Sequence, residues 1–276
     1  MSKIAAIQMA SGPNVRANLE SAKRLIEQAV ESGAELVVLP ENFAIMGLSE
    51  SDKVAVSEAD GVGPIQDFLA REASTHGIWL VGGTIPIKSP DPARVYAACL
   101  LYNDRGERVA RYDKIHLFDV HLMDSNESYN ESETTLNGND VVVVDTPFGR
   151  LGLAVCYDLR FPELFRNMLD QGVEIVCLPS AFTALTGNAH WESLIRARAI
   201  ENLSYVVAAA QGGYHVNGRE THGHSMVVDP WGNILNQLKS GTGVVIADLD
   251  HERLSRIRRS FPAIEHRRLS CQSHAV

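Results

Sequence analysis

A chain of 276 residues, 45% of them hydrophobic, is long enough to bury a sizeable core within one domain. Its formal net charge of -9 opposes phosphate backbones and anionic lipid surfaces, which excludes nucleic acid and membrane as general partners. Four widely separated cysteines, Cys99, Cys156, Cys177 and Cys271, show no CxxC spacing, so the chain reads as a cytoplasmic protein without a disulfide framework or zinc knuckle.

In chain order, residues 3–9 (KIAAIQM) read as a buried strand. Gln8 interrupts that apolar run and an amphipathic segment follows, which argues against a signal peptide, and no stretch is apolar for long enough to cross a bilayer. From Asn14, the residues Val15, Leu19, Ala22, Ile26, Ala29 and Val30 fall at helical spacing up to Gly33, and 35–39 (ELVVL) is again a strand. Further strands are predicted at 78–82, 95–103, 106–112, 141–145, 150–155, 173–178, 205–210, 223–229 and 243–249. Helices are predicted near 64–76, 161–171, 188–203 and 250–259. No linker or low-complexity stretch interrupts the series, so residues 1–276 form one domain. Arg253, Arg256, Arg258 and Arg259, followed by Arg267 and Arg268, make a basic run that reads as a solvated helix face or, with the tail from about residue 260, a subunit contact.

Residues 29–43 (AVESGAELVVLPENF) echo 168–182 (MLDQGVEIVCLPSAF): helix end, glycine stop, strand, Leu-Pro exit. Two related halves, each with a βαβ-containing sheet, would pack as a four-layer αββα sandwich of the α/β class. Any Gly-capped helix before a buried strand would look similar, so the echo alone leaves the repeat open.

Cys156 ends RLGLAVC just before a predicted helix, an exit where backbone N–H groups lower a thiol pKa and can hold a developing oxyanion. Glu41 follows Leu39-Pro40, and Lys114 closes GERVARYD, so all three stand at carboxyl ends of strands, where α/β sheets place ligands. Singly, each has an ordinary reading: a core cysteine, a loop carboxylate, a surface ammonium. Cys99 and Cys177, away from any strand exit, fit the core description. His116, His190, His222 and His224 suggest a Cys-His hydrolase or a His-x-His metal pair. Papain-like residues around Cys156 and further ligands at a recognisable spacing are both missing, which favours hydrogen-bonding roles for these histidines.

The segments LPENF (39–43), YDKIHLFDV (112–120) and GLAVCYDLRFPEL (152–164) resemble the three signature segments of the nitrilase superfamily of carbon-nitrogen hydrolases. Residues 180–211 and 223–233 also resemble its Nit-type amidases, so the likeness spans nearly the whole chain. The resemblance implies the αββα fold, a homodimer, no cofactor or metal, and a Glu-Lys-Cys triad matched by Glu41, Lys114 and Cys156. A second glutamate belongs to the family pattern. Tyr129-Asn130-Glu131-Ser132 matches it, which selects Glu131 over Glu127 and Glu133. The loop 121–138 departs from the family form at His121 and Asn137. In the implied mechanism Glu41 takes the thiol proton, sulfur attacks an amide carbonyl, and Lys114 with the Tyr157 N–H stabilises the oxyanion.

Within the superfamily, HWE, RARAIE, YVVAAAQ and GHSMVVDPWG resemble the amidases of deaminated glutathione, which release 2-oxoglutarate and cysteinylglycine. An ω-amidase acting on 2-oxoglutaramate would form the same acyl-enzyme and is the alternative. Both are small carboxylated amides, so Arg160 is the expected carboxylate ligand; a salt bridge to Glu163 or Asp158 is its structural alternative. A catalytically silent binding protein of the same fold is the reading from another class, and the intact triad opposes it.

Overall fold

The computed structural model describes residues 1–122 and 127–269; Cys271, the end of the tail and residues 123–126 of the atypical loop lie outside them. The first half of the chain carries β1 (Ser2–Gln8), α1 (Val15–Glu31), β2 (Leu36–Val38), α2 (Pro64–His76), β3 (Trp79–Val81), β4 (Ile85–Lys88), β5 (Val95–Tyr102) and β6 (Arg108–Asp113). The second carries β7 (Val143–Thr146), β8 (Gly149–Leu153), α3 (Pro162–Asp170), β9 (Ile175–Ser180), α4 (Ala184–Asn202), β10 (Tyr205–Ala210), β11 (Ser225–Val228), β12 (Ile234–Leu238), β13 (Gly243–Leu249) and α5 (His251–Ser260).

The two main sheets repeat one plan. The first runs β13-β1-β2-β3-β5-β4, with β6 on β5; the second runs β7-β8-β9-β10-β11-β12. In each, three parallel strands lie between antiparallel neighbours: β1, β2 and β3 between β13 and β5, and β8, β9 and β10 between β7 and β11. The echo of 29–43 in 168–182 therefore marks equivalent units, since α1 leads into β2 as α3 leads into β9.

Period-two alternation of the strands explains the layering. Ile4, Ala6, Leu36, Val38 and Val81 pack into one core with the second sheet. Their neighbours Ala5, Ile7, Val37, Leu39 and Leu80 pack against Ala22 and Ile26 of α1 and Phe68 and Leu69 of α2. On the far side, α3 and α4 contribute Phe165, Met168, Trp191 and Ile195. The result is an αββα sandwich. Each fully buried Leu, Ile, Val or Phe contributes about 1.5–3 kcal/mol relative to exposure.

Several expectations need correction. The strand predicted at 150–155 stops at Leu153, and Cys156 opens a 3-10 turn (Cys156–Arg160) instead of ending the strand. β4, β12 and the ribbons Asp119–His121/Ser128–Asn130 and Gly212–Tyr214/Glu220–His222 escape the sequence reading, because short, partly polar strands carry little periodicity. The basic run is not simply a solvated or subunit face. Arg253 grips Asp229 at 2.6 Å, and Arg258 donates to the carbonyls of Leu203 (3.0 Å) and Val173 (2.6 Å), tying α5 to the rest of the fold. No helix among the described residues is long and apolar enough to cross a membrane.

One glycine links packing to the strand exits. Gly83 has φ +57, and a Cβ there would lie 2.1 Å from the carbonyl oxygen of Pro40, the residue before Glu41. Gly77, at the end of α2, has φ +62 but open space around it. Gly77→Ala is expected to cost about 1–2 kcal/mol, the left-handed backbone penalty alone. Gly83→Ala adds a backbone collision and is expected to cost about 2–4 kcal/mol. Urea denaturation of the two variants checks the order.

Candidate active site

Glu41 lies just beyond β2, after Pro40, where the chain turns through Asn42 at φ +56. The Asn42 N–H donates to Thr84 Oγ1 at 2.9 Å. The Glu41 carbonyl accepts Gln211 Nε2 at 3.0 Å, and fully buried Gln211, at the exit of β10, also exchanges hydrogen bonds with Ser11. The second sheet thus holds the turn that carries Glu41.

Lys114 follows β6 and is 2% exposed. Its Nζ donates to Glu41 Oε1 at 2.8 Å and to both oxygens of Glu131, at 2.9 and 2.8 Å. Glu131 Oε2 also accepts the Phe118 N–H at 2.7 Å. Of the three nearby acids, Glu131 is the one that reaches Lys114; Glu127 accepts the Tyr129 hydroxyl. Burial opposes the ammonium, but Glu131 and Glu41 outweigh it and hold the Lys114 pKa well above its ordinary value.

Cys156 stands beside this cluster at φ +48, in the left-handed region that non-glycine residues rarely adopt. Asp158, fully buried, braces the turn: its carboxylate accepts the Val155 N–H (2.8 Å), the Tyr112 hydroxyl (2.7 Å), the His116 N–H (3.1 Å) and the His116 ring Nδ1–H (2.7 Å). Tyr112 and His116 lie two residues either side of Lys114, so one carboxylate ties the Cys156 turn to the Lys114 strand exit. Phe161 stacks on His116 at 3.6 Å and completes the clamp.

Burial pushes the Cys156 thiol well above its ordinary pKa, and the charge and hydrogen bonding of Glu41 push the same way. Lys114 and the Ala181 backbone N–H pull it down without prevailing. This corrects the expectation that backbone amides at the strand exit would lower it. Cys99 and Cys177 are sealed core residues.

Tyr157 sits in the first turn of the 3-10 segment, where amides lack an intrahelical acceptor, and its ring meets Phe118 at 5.0 Å. Arg160 forms no ion pair with Glu163 or Asp158 among the described residues. Its NH1 lies 3.2 Å from His190 Nδ1, and its guanidinium lies 5.2 Å from the Phe182 ring. Among the described residues no histidine lines the cleft. His222 and His224 stack on each other at 4.0 Å, and burial, reinforced by His224, pushes His222 down to about 4. Among the described residues no group of three or more His, Cys, Asp or Glu side chains is placed to hold a metal ion.

Glu41, Lys114, Glu131, Cys156, Tyr157 and Arg160 share one cleft with about 540 Å³ of empty space, open solvent at its mouth included. Sequence reasoning missed Lys53 and Arg219, which also line it. Both lie in polar segments without a motif, and nothing in the local sequence marks them. Asp158 was visible within CYD but read only as a partner for Arg160. The arrangement sets a sulfur beside a carboxylate that can accept its proton, a fixed ammonium and the Ala181 main-chain N–H, which is equipment suited to acyl transfer.

The carbon-nitrogen hydrolase family model matches residues 3–259. A deaminated glutathione amidase of Synechocystis sp. is 43% identical over 266 residues, covering 95% of this chain and 97% of that protein. The crystal structure of the nitrilase and fragile histidine triad fusion protein NitFhit of Caenorhabditis elegans superposes with a TM-score of 0.89 at 40% identity; the match covers 97% of this chain and 65% of the fusion protein. An amidase from Nesterenkonia sp. AN1, solved with acrylamide added at its active-site cysteine, matches with a TM-score of 0.79 at 27% identity, covering 96% of this chain and 100% of that one. By sequence along nearly its whole length and by fold, the chain belongs to the carbon-nitrogen hydrolases of the nitrilase superfamily and is a hydrolase of amide carbon–nitrogen bonds.

Proposed function

We propose that this enzyme hydrolyses deaminated glutathione, cleaving the amide between its 2-oxoglutaryl and cysteinylglycine halves through a thioester on Cys156. The observation that carries the catalytic part is the Lys114 ammonium held between Glu41 and Glu131 beside the Cys156 thiol. The substrate part is supported by the activity named for the Synechocystis relative and by Arg160, whose guanidinium lines the cleft without a carboxylate partner among the described residues.

The resting state follows from the electrostatics. Sulfur keeps its proton, because burial and the Glu41 charge disfavour a thiolate. Glu41 takes that proton as sulfur attacks the amide carbonyl, and the charge passes to the carbonyl oxygen. All three Lys114 donors already point at carboxylate oxygens, so Lys114 assists the oxyanion through its charge, while the Tyr157 N–H supplies a hydrogen bond. Glu41 then gives its proton to the departing nitrogen, which leaves as the amine of cysteinylglycine. In the second half Glu41 takes a proton from water, the oxygen attacks the thioester, and collapse releases 2-oxoglutarate and returns the proton to sulfur. Arg160 holds the 2-oxo acid carboxylate in both halves. Glu131 acts on Lys114 and keeps it charged and aimed.

Cys156→Ala is expected to abolish hydrolysis while thermal unfolding stays cooperative; normal turnover in that variant would overturn the mechanism. Intact-mass measurement is expected to find the same acyl adduct from deaminated glutathione and from 2-oxoglutaramate, with larger kcat/KM for the former.

The thiol offers a pH test. Alkylation follows the thiolate fraction, which grows as pH rises through the pKa, so the wild-type midpoint for iodoacetamide should lie above the ordinary thiol value of about 8.5. Glu41 raises this pKa and Lys114 lowers it. Glu41→Gln should therefore move the midpoint down and Lys114→Met should move it up, read as the rate of mass gain at Cys156 against pH.

A further inference from the structure

The cleft contains a second guanidinium that the acyl-transfer chemistry does not use. Arg219 lines the same cleft as Cys156 and Arg160. It is held by a braced loop: its N–H donates to Asn217 Oδ1 at 3.1 Å, and its carbonyl accepts the His215 N–H at 2.9 Å. Asn217 Nδ2 in turn donates to the Gly47 carbonyl at 2.7 Å, and the His215 ring sits between the Ser11 carbonyl (2.8 Å) and Thr221 Oγ1 (2.7 Å).

Arg219 is under-compensated. Among the described residues its carboxylate neighbour is Glu50, whose Oε1 is 3.6 Å from NH1, beyond a good hydrogen bond, while the other oxygen of that carboxylate is held by Lys53 at 2.7 Å. The Arg219 Nε is buried with no hydrogen-bond partner among the described residues. A run of aromatic contacts connects it with Arg160. Arg219 lies 4.8 Å from the Tyr129 ring, Tyr129 meets Phe118 at 5.1 Å, Phe118 meets Tyr157 at 5.0 Å, and Arg160 lies 5.8 Å from Tyr157.

Charge decides what such a cleft accepts. Glu41 and Glu131 against Lys114 leave one net negative charge near the sulfur, and Lys53 cancels Glu50. A substrate with two carboxylates would be repelled without two further cations, and Arg160 and Arg219 are those cations. Beyond the scissile nitrogen, cysteinylglycine extends about 7 Å as two residues of extended chain before its terminal carboxylate.

We propose that Arg219 is the specificity-determining residue that receives the terminal carboxylate of the leaving peptide, making the cleft selective for amides that carry an anion at both ends. This assignment rests on the substrate reading above. Arg219 touches the leaving half alone, so its loss should not affect substrates whose leaving group is ammonia.

The test compares wild type and Arg219→Gln on three substrates: deaminated glutathione, its C-terminal carboxamide, and 2-oxoglutaramate. Wild type should favour the acid over the carboxamide by about 10- to 100-fold in kcat/KM, the worth of one charge-assisted hydrogen bond in a cleft. Arg219→Gln should erase that preference by lowering kcat/KM for the acid about 10- to 100-fold, mostly through KM. Its rates on the carboxamide and on 2-oxoglutaramate should stay within about two-fold of wild type. Equal losses on all three substrates would show that Arg219 only supports the loop, and no loss on the acid would show that the carboxylate binds elsewhere; either result overturns the assignment. Wild-type turnover of 2-oxoglutaramate without turnover of deaminated glutathione would instead refute the substrate reading, and the assignment would fall with it.

Discussion

An ammonium group that is almost sealed from water is tolerated only if carboxylates meet it, because an unpaired buried charge costs several kcal/mol. Lys114 is in that position, and its partners come from 73 residues upstream and 17 residues downstream. Pairing it therefore closes the exits of β2 and β6 and the turn at Glu131 onto one point. Burial disfavours a thiolate at the neighbouring sulfur, and the Glu41 charge adds to that effect more than Lys114 takes from it, so the sulfur keeps its proton. A protonated sulfur with a carboxylate beside it suits the proposed proton transfer during attack better than a standing thiolate would.

The duplicated sheets explain how residues so far apart reach one cleft. β2 and β9 are equivalent central strands; Leu39-Pro40 follows β2, whereas Leu178-Pro179 lies inside β9, and the chain leaving each strand opens onto the same cavity. The first exit contributes the Glu41 side chain; the second contributes the Ala181 backbone N–H at the sulfur and the Phe182 ring. The two exits thus present a carboxylate on one side and, one aligned position further on, a main-chain donor on the other. Gln211, just past β10, donates to the Glu41 carbonyl, and Thr84, past β3, accepts from the Asn42 N–H, so both hold the backbone of the Glu41–Asn42 turn. The cleft is built from strand ends of both sheets, and neither sheet alone would form it.

This shared plan also explains which features are legible in the sequence. Strands such as 3–9 and 173–178 are legible because they are short apolar runs buried on both faces, the second also bounded by Gly172 and Pro179, and the central layers follow from them. Glu41, Lys114, Cys156 and Glu131 are legible because each lies in a short segment whose residue order is distinctive. Arg219 and Lys53 are invisible, because their role depends on where a polar loop comes to rest across the cleft. The thiol's pKa was misread for a related reason: local amides suggest a low value, whereas burial and Glu41, both products of tertiary folding, raise it. Asp158 is the intermediate case. Its place two residues after Cys156 is plain, but three of the four hydrogen bonds to its carboxylate come from Tyr112 and His116 of another strand exit.

Those bonds also account for the strained backbone at Cys156. A non-glycine residue in the left-handed region costs about 1–2 kcal/mol, and such a conformation persists only where the surroundings over-determine it. Val155 is pinned by Asp158 on one side of Cys156, and Asp158 is pinned by Tyr112 and His116 on the other, so the intervening residue has little freedom to relax. The strain turns the side chain out of the strand's alternation. Cys99 and Cys177, on regular strands, face the core and are fully buried, whereas Cys156 faces the cleft. One dihedral angle, held by one buried carboxylate, therefore separates a sulfur that can meet a substrate from two that only fill space.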